Sequence, residues 1–199
     1  MHSLGGAVRR FRSSRSDCLP ARFAQAERGS VAVEFAFVAV PFLTMMFALI
    51  ELGMALLAYT SMETATLMAS RRIRTGEFQE GGSNSKSDFK NLVCTNMSWL
   101  SSCSTDLYVD VRTFSSFGAL GGNSPMPGPA FNPASTCFTA GAPTDIVLVR
   151  AYFKWRLFTP FLSGGLENMG AGSGMRLMST ATAFRNEPYS DVGPVGAKC

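Results

Sequence analysis

The chain has 199 residues, enough for one domain with a real core and not comfortably for two. Its formal charge of +4 lies in the first 29 residues, where Arg9, Arg10, Arg12, Arg15, Arg22 and Arg28 face only Asp17 and Glu27; the remainder is balanced, with twelve basic and twelve acidic side chains. His2 is the only histidine and the five cysteines form no C-x-x-C pair, which speaks against zinc and redox motifs and against a Ser/His/Asp set.

Residues 1–28 are polar and arginine-rich without periodicity, and are expected to be disordered. A basic tail can bind nucleic acid, but directly before an apolar segment it fixes membrane orientation, since positive flanks stay in the cytoplasm. From Val31 to Tyr59 the chain is apolar except for Glu34, Glu51 and a few small polar residues, and Phe35 to Ile50 carries no charge. As a helix this run spans about 43 Å, more than a hydrocarbon core of about 30 Å. Pro41 is expected to kink or loosen the helix, which membrane helices tolerate. A cleaved secretory signal fits poorly, because the leader and the apolar run are both too long. Met62, Ala65, Met68, Ala69 and Ile73 continue the helical spacing. Arg71, Arg72 and Arg74 suit a helix C-terminus, which Gly76 can end.

Beyond a loop at Gly81 to Ser85, Ser87 can cap a short helix with Phe89, Leu92, Val93 and Leu100 on one face. In residues 106–114 Leu107, Val109 and Val111 alternate with Asp110 and Arg112, the pattern of a half-buried strand. Ser115 to Thr144 is rich in glycine, proline and serine and reads as a long surface loop. In residues 145–158 Val147, Val149, Ala151, Phe153, Trp155 and Leu157 share one strand face, with Arg150, Lys154 and Arg156 opposite; Thr159-Pro160 ends or bends the strand. Leu162 to Gly174 is a glycine-rich connection, Met175 to Phe184 a third strand, and the last dozen residues irregular. GAGSGM, residues 170–175, resembles a phosphate-binding loop only superficially: it lacks the lysine and a βαβ setting, and reads as a flexible loop. The Phe153 and Trp155 stripe reads as core, and Asn96-Met97-Ser98 as a chance glycosylation pattern.

If the C-terminal part lies outside the cytoplasm, Cys94, Cys103, Cys137 and Cys199 can form two disulfides in three connectivities, Cys94–Cys103 closing the shortest loop; otherwise they are small apolar residues. Glu34 is the anomaly. A carboxylate entering a bilayer is costly and usually has a partner or a task. Glu51, about 25 Å further along the axis of an ideal helix, reads as a second intersubunit contact, a partner for a helix of an assembly machine, or a residue at the membrane interface.

Arg28-Gly29-Ser30, then Glu34 and Phe35 opening an apolar helix, resemble the processing site of type IV prepilins and pseudopilins. The resemblance implies that a membrane aspartyl peptidase cuts between Gly29 and Ser30 on the cytoplasmic side. The ammonium created at Ser30 would be a partner for Glu34 of a neighbouring subunit, and Phe35 would flank that contact. Glycine lets the backbone enter a peptidase site extended, without a side-chain clash. RGSVAVEFAFVAVPFL resembles more narrowly the start of TadE-like proteins, minor pseudopilins of tight-adherence (Flp) pilus systems, through Arg28, Gly29, Val33, Glu34, Phe35, Ala36 and Pro41. Glu51 and the string Phe184 to Pro188 match further features of that family, whereas residues 76–174 carry no transferable motif. Major Flp pilins are much shorter, and TadG-like proteins share a similar helix.

The expected architecture is α+β and pilin-like: a long N-terminal transmembrane helix followed by a small antiparallel sheet domain. Residues 1–29 form a cleaved cytoplasmic leader, 30–75 a helix spanning the membrane to about residue 58, and 76–199 a periplasmic domain with long Gly/Pro loops. The resemblance implies a single-pass inner-membrane protein of pilus assembly, without enzymatic activity, cofactor, metal or nucleic acid. Its partners would be a prepilin peptidase, other pilins or pseudopilins, the assembly platform and the bilayer. The alternatives are an uncleaved TadG-like anchor with a periplasmic binding domain and a membrane-tethered periplasmic enzyme.

Overall fold

The computed structural model describes residues 27–82, 85–121, 131–159, 164–190, 193 and 195–196. The tail up to residue 26, with Cys18, and the C-terminal Cys199 fall outside the described residues; the expected disorder of residues 1–28 falls there too, except that Glu27 and Arg28 already belong to the first helix. The chain divides into two compact units, residues 1–45 and 46–199. Its class is mixed α+β: a long apolar N-terminal helix followed by a small antiparallel sheet.

Helix α1 (Glu27–Arg74) passes through Pro41 without ending. In the first unit its side chains from Gly29 onward are exposed apart from the partly covered Ala39 and Thr44. In the second unit one face becomes core: Ala58, Met62, Ala65, Ala69 and Ile73 are buried at helical spacing. The three alanines let the helix come close to the sheet, while Met62 and Ile73 each contribute roughly 2 kcal/mol by burial. Met68, expected on this face, is exposed. It lies about 100° around the helix from Ala69 and so turns away from the stripe.

α1 ends at Arg74, and Gly76 takes φ 85. Only glycine fits there, because a Cβ would lie 2.5 Å from Cγ of Tyr189. α2 (Glu77–Glu80) and α3 (Lys86–Thr95) follow. Ser85, not Ser87, caps α3: Asp88 stands three residues after Ser85, and the two side chains exchange hydrogen bonds with each other's backbone N–H. After α4 (Cys103–Asp106) come β1 (Leu107–Phe114), β2 (Thr139–Gly141), β3 (Ile146–Arg156), β4 (Met175–Arg185) and β5 (Val195–Gly196). β3 is the middle of an antiparallel sheet ordered β1-β3-β4, with Val109 opposite Ala151 and Phe153 opposite Met178. The face carrying Val109, Val111, Val147, Val149 and Phe153 joins the α1 stripe in one core.

The outer sheet face was expected to meet water; it does at Arg156 and along β4 from Ser179 to Arg185, but not over the middle of β1 and β3. Asp110 is 1% exposed and Arg150 is also buried. The stretch read as a surface loop folds back over them. The Phe131 ring packs against Tyr108 and Tyr152, Arg112 donates to Ser135 O at 2.6 Å, and Phe138 bridges Val111 in parallel. The end of that stretch is β2, buried along its length and paired with β5 in the supposedly irregular C-terminus.

Candidate functional site

Gly29 and Ser30 lie in the first turns of α1, both exposed. A Cβ built on Gly29 meets nothing within 4 Å. The described fold therefore does not need a glycine there, in contrast to Gly76. Glu34 is exposed as well, and among the described residues it has no hydrogen-bond or ion-pair partner. Its surroundings are apolar: Val31, Val33, Phe37 and Val38 are all exposed, and Phe35 is 72% exposed. α1 is long and apolar enough to cross a membrane, and its most apolar stretch is not buried at all. In hydrocarbon such a carboxylate is stable only with a partner, with water, or at the interface. This chain supplies no partner from its described part.

Glu51 is different. It is 4% exposed, and its two carboxylate oxygens accept hydrogen bonds from the backbone N–H of Phe158 and, at 2.9 Å, of Thr159. The helix carboxylate thereby ties down the chain just past β3, where strand pairing has ended. Neither a neighbouring subunit nor a headgroup is needed to explain its place. Beside it lies a groove of about 400 Å³ between α1, the end of β3 and β4.

The string Phe184 to Pro188 closes the other end of the helix. Asn186 is fully buried; its amide donates to Ala140 O and Ala142 O at 3.1 and 3.0 Å. Glu187 N–H donates to Arg74 O at 2.9 Å, and the Glu187 carboxylate meets Arg74 at 3.2 Å. Gln79 donates to Ile73 O at 3.0 Å and to the Tyr189 hydroxyl at 2.9 Å. Orphan carbonyls at a helix C-terminus are thus satisfied by the C-terminal string and by α2.

Cys94 and Cys103 are joined, with Cα atoms 5.6 Å apart. Cys137 is also disulfide-bonded.

Several polar residues that organise the domain were not singled out from sequence. The Asp110 carboxylate accepts from Arg112 Nε at 3.0 Å, from Cys137 N–H at 2.8 Å and from Arg150 at 3.5 Å. A signal for this existed: Asp110 and Arg112 share a strand face and Arg150 stands directly opposite Asp110, but it is visible only once the strand register is known. Asn168 covers the edge of β4 by accepting from Leu177 N–H at 2.6 Å and donating to Leu177 O at 3.0 Å. Glu167 accepts from the N–H groups of Gly172 and Gly174 at 2.7 and 2.9 Å, and these bonds pull its pKa below the ordinary glutamate value. The glycine-rich stretch thus folds around a carboxylate of its own chain. Burial lowers the pKa of Lys86, whose ammonium donates to Thr136 O at 3.0 Å. Among the described residues no group of three His, Cys, Asp or Glu side chains is placed to hold a metal.

Residues 29–71 match the family model of TadE-like proteins. The match begins at Gly29 and ends one turn before α1 does. It therefore covers the bare and the packed parts of the helix and none of the sheet. No curated protein and no solved structure matches the chain.

Proposed function

From a TadE-like helix that leaves Glu34 bare, we infer that this protein is a single-pass membrane component of a tight-adherence (Flp) pilus system and acts there as a minor pseudopilin. A prepilin peptidase would cleave it after Gly29 on the cytoplasmic face of the inner membrane, leaving the sheet domain in the periplasm. The carrying observation is the pair Gly29 and Glu34. A glycine that the described fold does not require stands five residues before a carboxylate without a partner among the described residues, at the start of the region matching the family model. Both residues make sense if their partners lie outside the chain: a peptidase for the first, the Ser30 ammonium of a neighbouring subunit for the second. Opposite charges in a low-dielectric bundle attract strongly, and an unpaired one is penalised, so the pair would set the register between subunits. The inner-membrane assembly platform and other pilins are the partners this role requires. Disulfides in the sheet domain agree with an oxidising compartment.

The test is the intact mass and N-terminal residue of the membrane-purified protein, expressed with and without a prepilin peptidase. A chain starting at Ser30 only in the presence of the peptidase supports the reading. A chain keeping its arginine leader in both cases overturns processing and leaves the uncleaved TadG-like anchor.

A further inference from the structure

We propose that the sheet domain is seated in the lipid headgroup layer of the membrane that α1 spans, with Phe158 as its inserted tip. This inference rests on the reading of α1 as a membrane span and adds a second contact with the same bilayer.

The argument starts from depth. Phe158 N–H is bound to the Glu51 carboxylate, so the Phe158 backbone sits level with residue 51 of the helix. Exposed apolar side chains continue past that level: Leu52, Met54, Leu56 and Leu57. The largely exposed apolar run from Val31 to Leu57, interrupted by the covered Glu51, would be about 40 Å long, whereas a bilayer core takes about 20 residues, or about 30 Å. A core beginning at Val31 ends near Ile50 and puts Phe158 at its edge. A core ending at Leu57 puts Phe158 about 9 Å inside it. Either registration brings this segment into lipid.

The chemistry of the segment agrees. Phe158 is 68% exposed although it follows a buried strand, and its ring stands edge-on to Trp155 at 6.4 Å. Tyr59 lies on the helix nearby, lining the groove with Leu52, Leu56, Leu157 and Met178. Aromatic rings and aliphatic walls suit the boundary between headgroups and acyl chains. Arg156 and Arg176 are exposed at the same end of the sheet, and Arg176 also borders the groove. Guanidinium groups there complement anionic phospholipid headgroups. The one acidic group in the groove lining, Glu51, accepts two backbone N–H groups, so its charge is compensated.

The experiment uses the full chain in nanodiscs of zwitterionic and anionic phospholipid whose acyl chains are brominated near the carbonyl end, compared with unbrominated lipid. In a background carrying Trp99→Phe and Trp155→Phe, one tryptophan is introduced at a time, as Phe158→Trp or as Phe42→Trp in the apolar stretch. If that background fails to fold, each substitution is made in the native chain and the added emission is read by difference. Both reporters should lose emission to bromine, the Phe158→Trp signal about twofold with a blue-shifted maximum, as an interfacial ring does. Quenching at Phe42→Trp with unquenched, red-shifted emission at Phe158→Trp leaves the span standing and overturns the seat. No quenching at either position overturns the membrane reading itself, and the seat with it.

Discussion

Glu34 and Glu51 are carboxylates of one apolar helix, seventeen residues apart in sequence, and the chain treats them in opposite ways. Around Glu34 the side chains are bare and no described residue answers its charge. Glu51 is buried with two backbone N–H donors from the segment after β3. The glycines repeat the contrast: Gly29 has open space where a Cβ would go, whereas Gly76 is pressed against the Tyr189 ring. A polar or special residue in a greasy helix therefore has two distinct explanations. Where the chain supplies the partner, the residue serves the fold. Where the described residues supply none, a partner from outside is the proposed explanation, and the proposed processing and assembly roles belong to that class.

Stability measurements can break this division. Glu51→Ala should cost the sheet domain about 3 kcal/mol, because it leaves two N–H groups without their charged acceptor in a covered site. Glu51→Gln should recover part of that. Glu34→Ala should leave the melting temperature of the detergent-solubilised protein unchanged, impair pilus formation and affect maturation less. Normal pili in a Glu34→Ala strain would sink the assembly role, and an unchanged melting temperature for Glu51→Ala would remove the distinction between the two glutamates. Next in size is the disulfide. Replacing Cys94 and Cys103 together by serine should cost about 2 to 3 kcal/mol, the entropy regained by a short loop in the unfolded chain, as read by denaturant titration.

The glycine pair sharpens the contrast further. Gly76→Ala forces a left-handed conformation and a clash with Tyr189 on a residue that has a Cβ, and should cost about 1 to 2 kcal/mol. Gly29→Val should leave stability unchanged and abolish the mass shift produced by a prepilin peptidase. A thermal melt and a mass spectrum of each variant decide both. Equal destabilisation by the two substitutions would mean that Gly29 serves the fold after all.

Much of this architecture was legible from periodicity. β1, β3 and β4 stand within a residue or two of where alternation puts them, and the helix ends where its spacing predicts though it begins three residues earlier, since one face of each must enter the core. What stayed hidden depends on partners remote in sequence. The Glu51 acceptor site is built from backbone N–H groups more than a hundred residues away, and backbone groups leave no sequence signature. Burial of Asp110 and Arg150 depends on residues 131–138 folding over the outer face, although their glycine- and proline-rich surroundings look like a solvent loop. β2 and β5 are three and two residues long, too short for alternation to register. The string Phe184 to Pro188 was noticed as a resemblance, and its place at the end of α1 appears only through Asn186 and Glu187.

Glu167 tests the smallest version of the contrast, because it is only partly covered, between Glu34 and Glu51, yet served by backbone N–H groups like Glu51. Gly172 and Gly174 donate to its carboxylate and lower its pKa below the ordinary value of 4.5. A group whose pKa is depressed on folding contributes stability above its unfolded pKa and loses it as the pH falls through the folded one. Order in residues 167–174 should therefore be complete at neutral pH and should weaken only below the usual glutamate range. Contact with solvent screens the charge and keeps the effect local, so the global melting temperature should hardly move. Amide exchange at Gly172 and Gly174 reads it directly. Both amides should lose protection as the carboxylate protonates, and Glu167→Gln should bring the loss to neutral pH. Protection that survives both acid and the glutamine would show that glycine turn geometry alone orders this loop, and that the carboxylate merely occupies a cradle already formed.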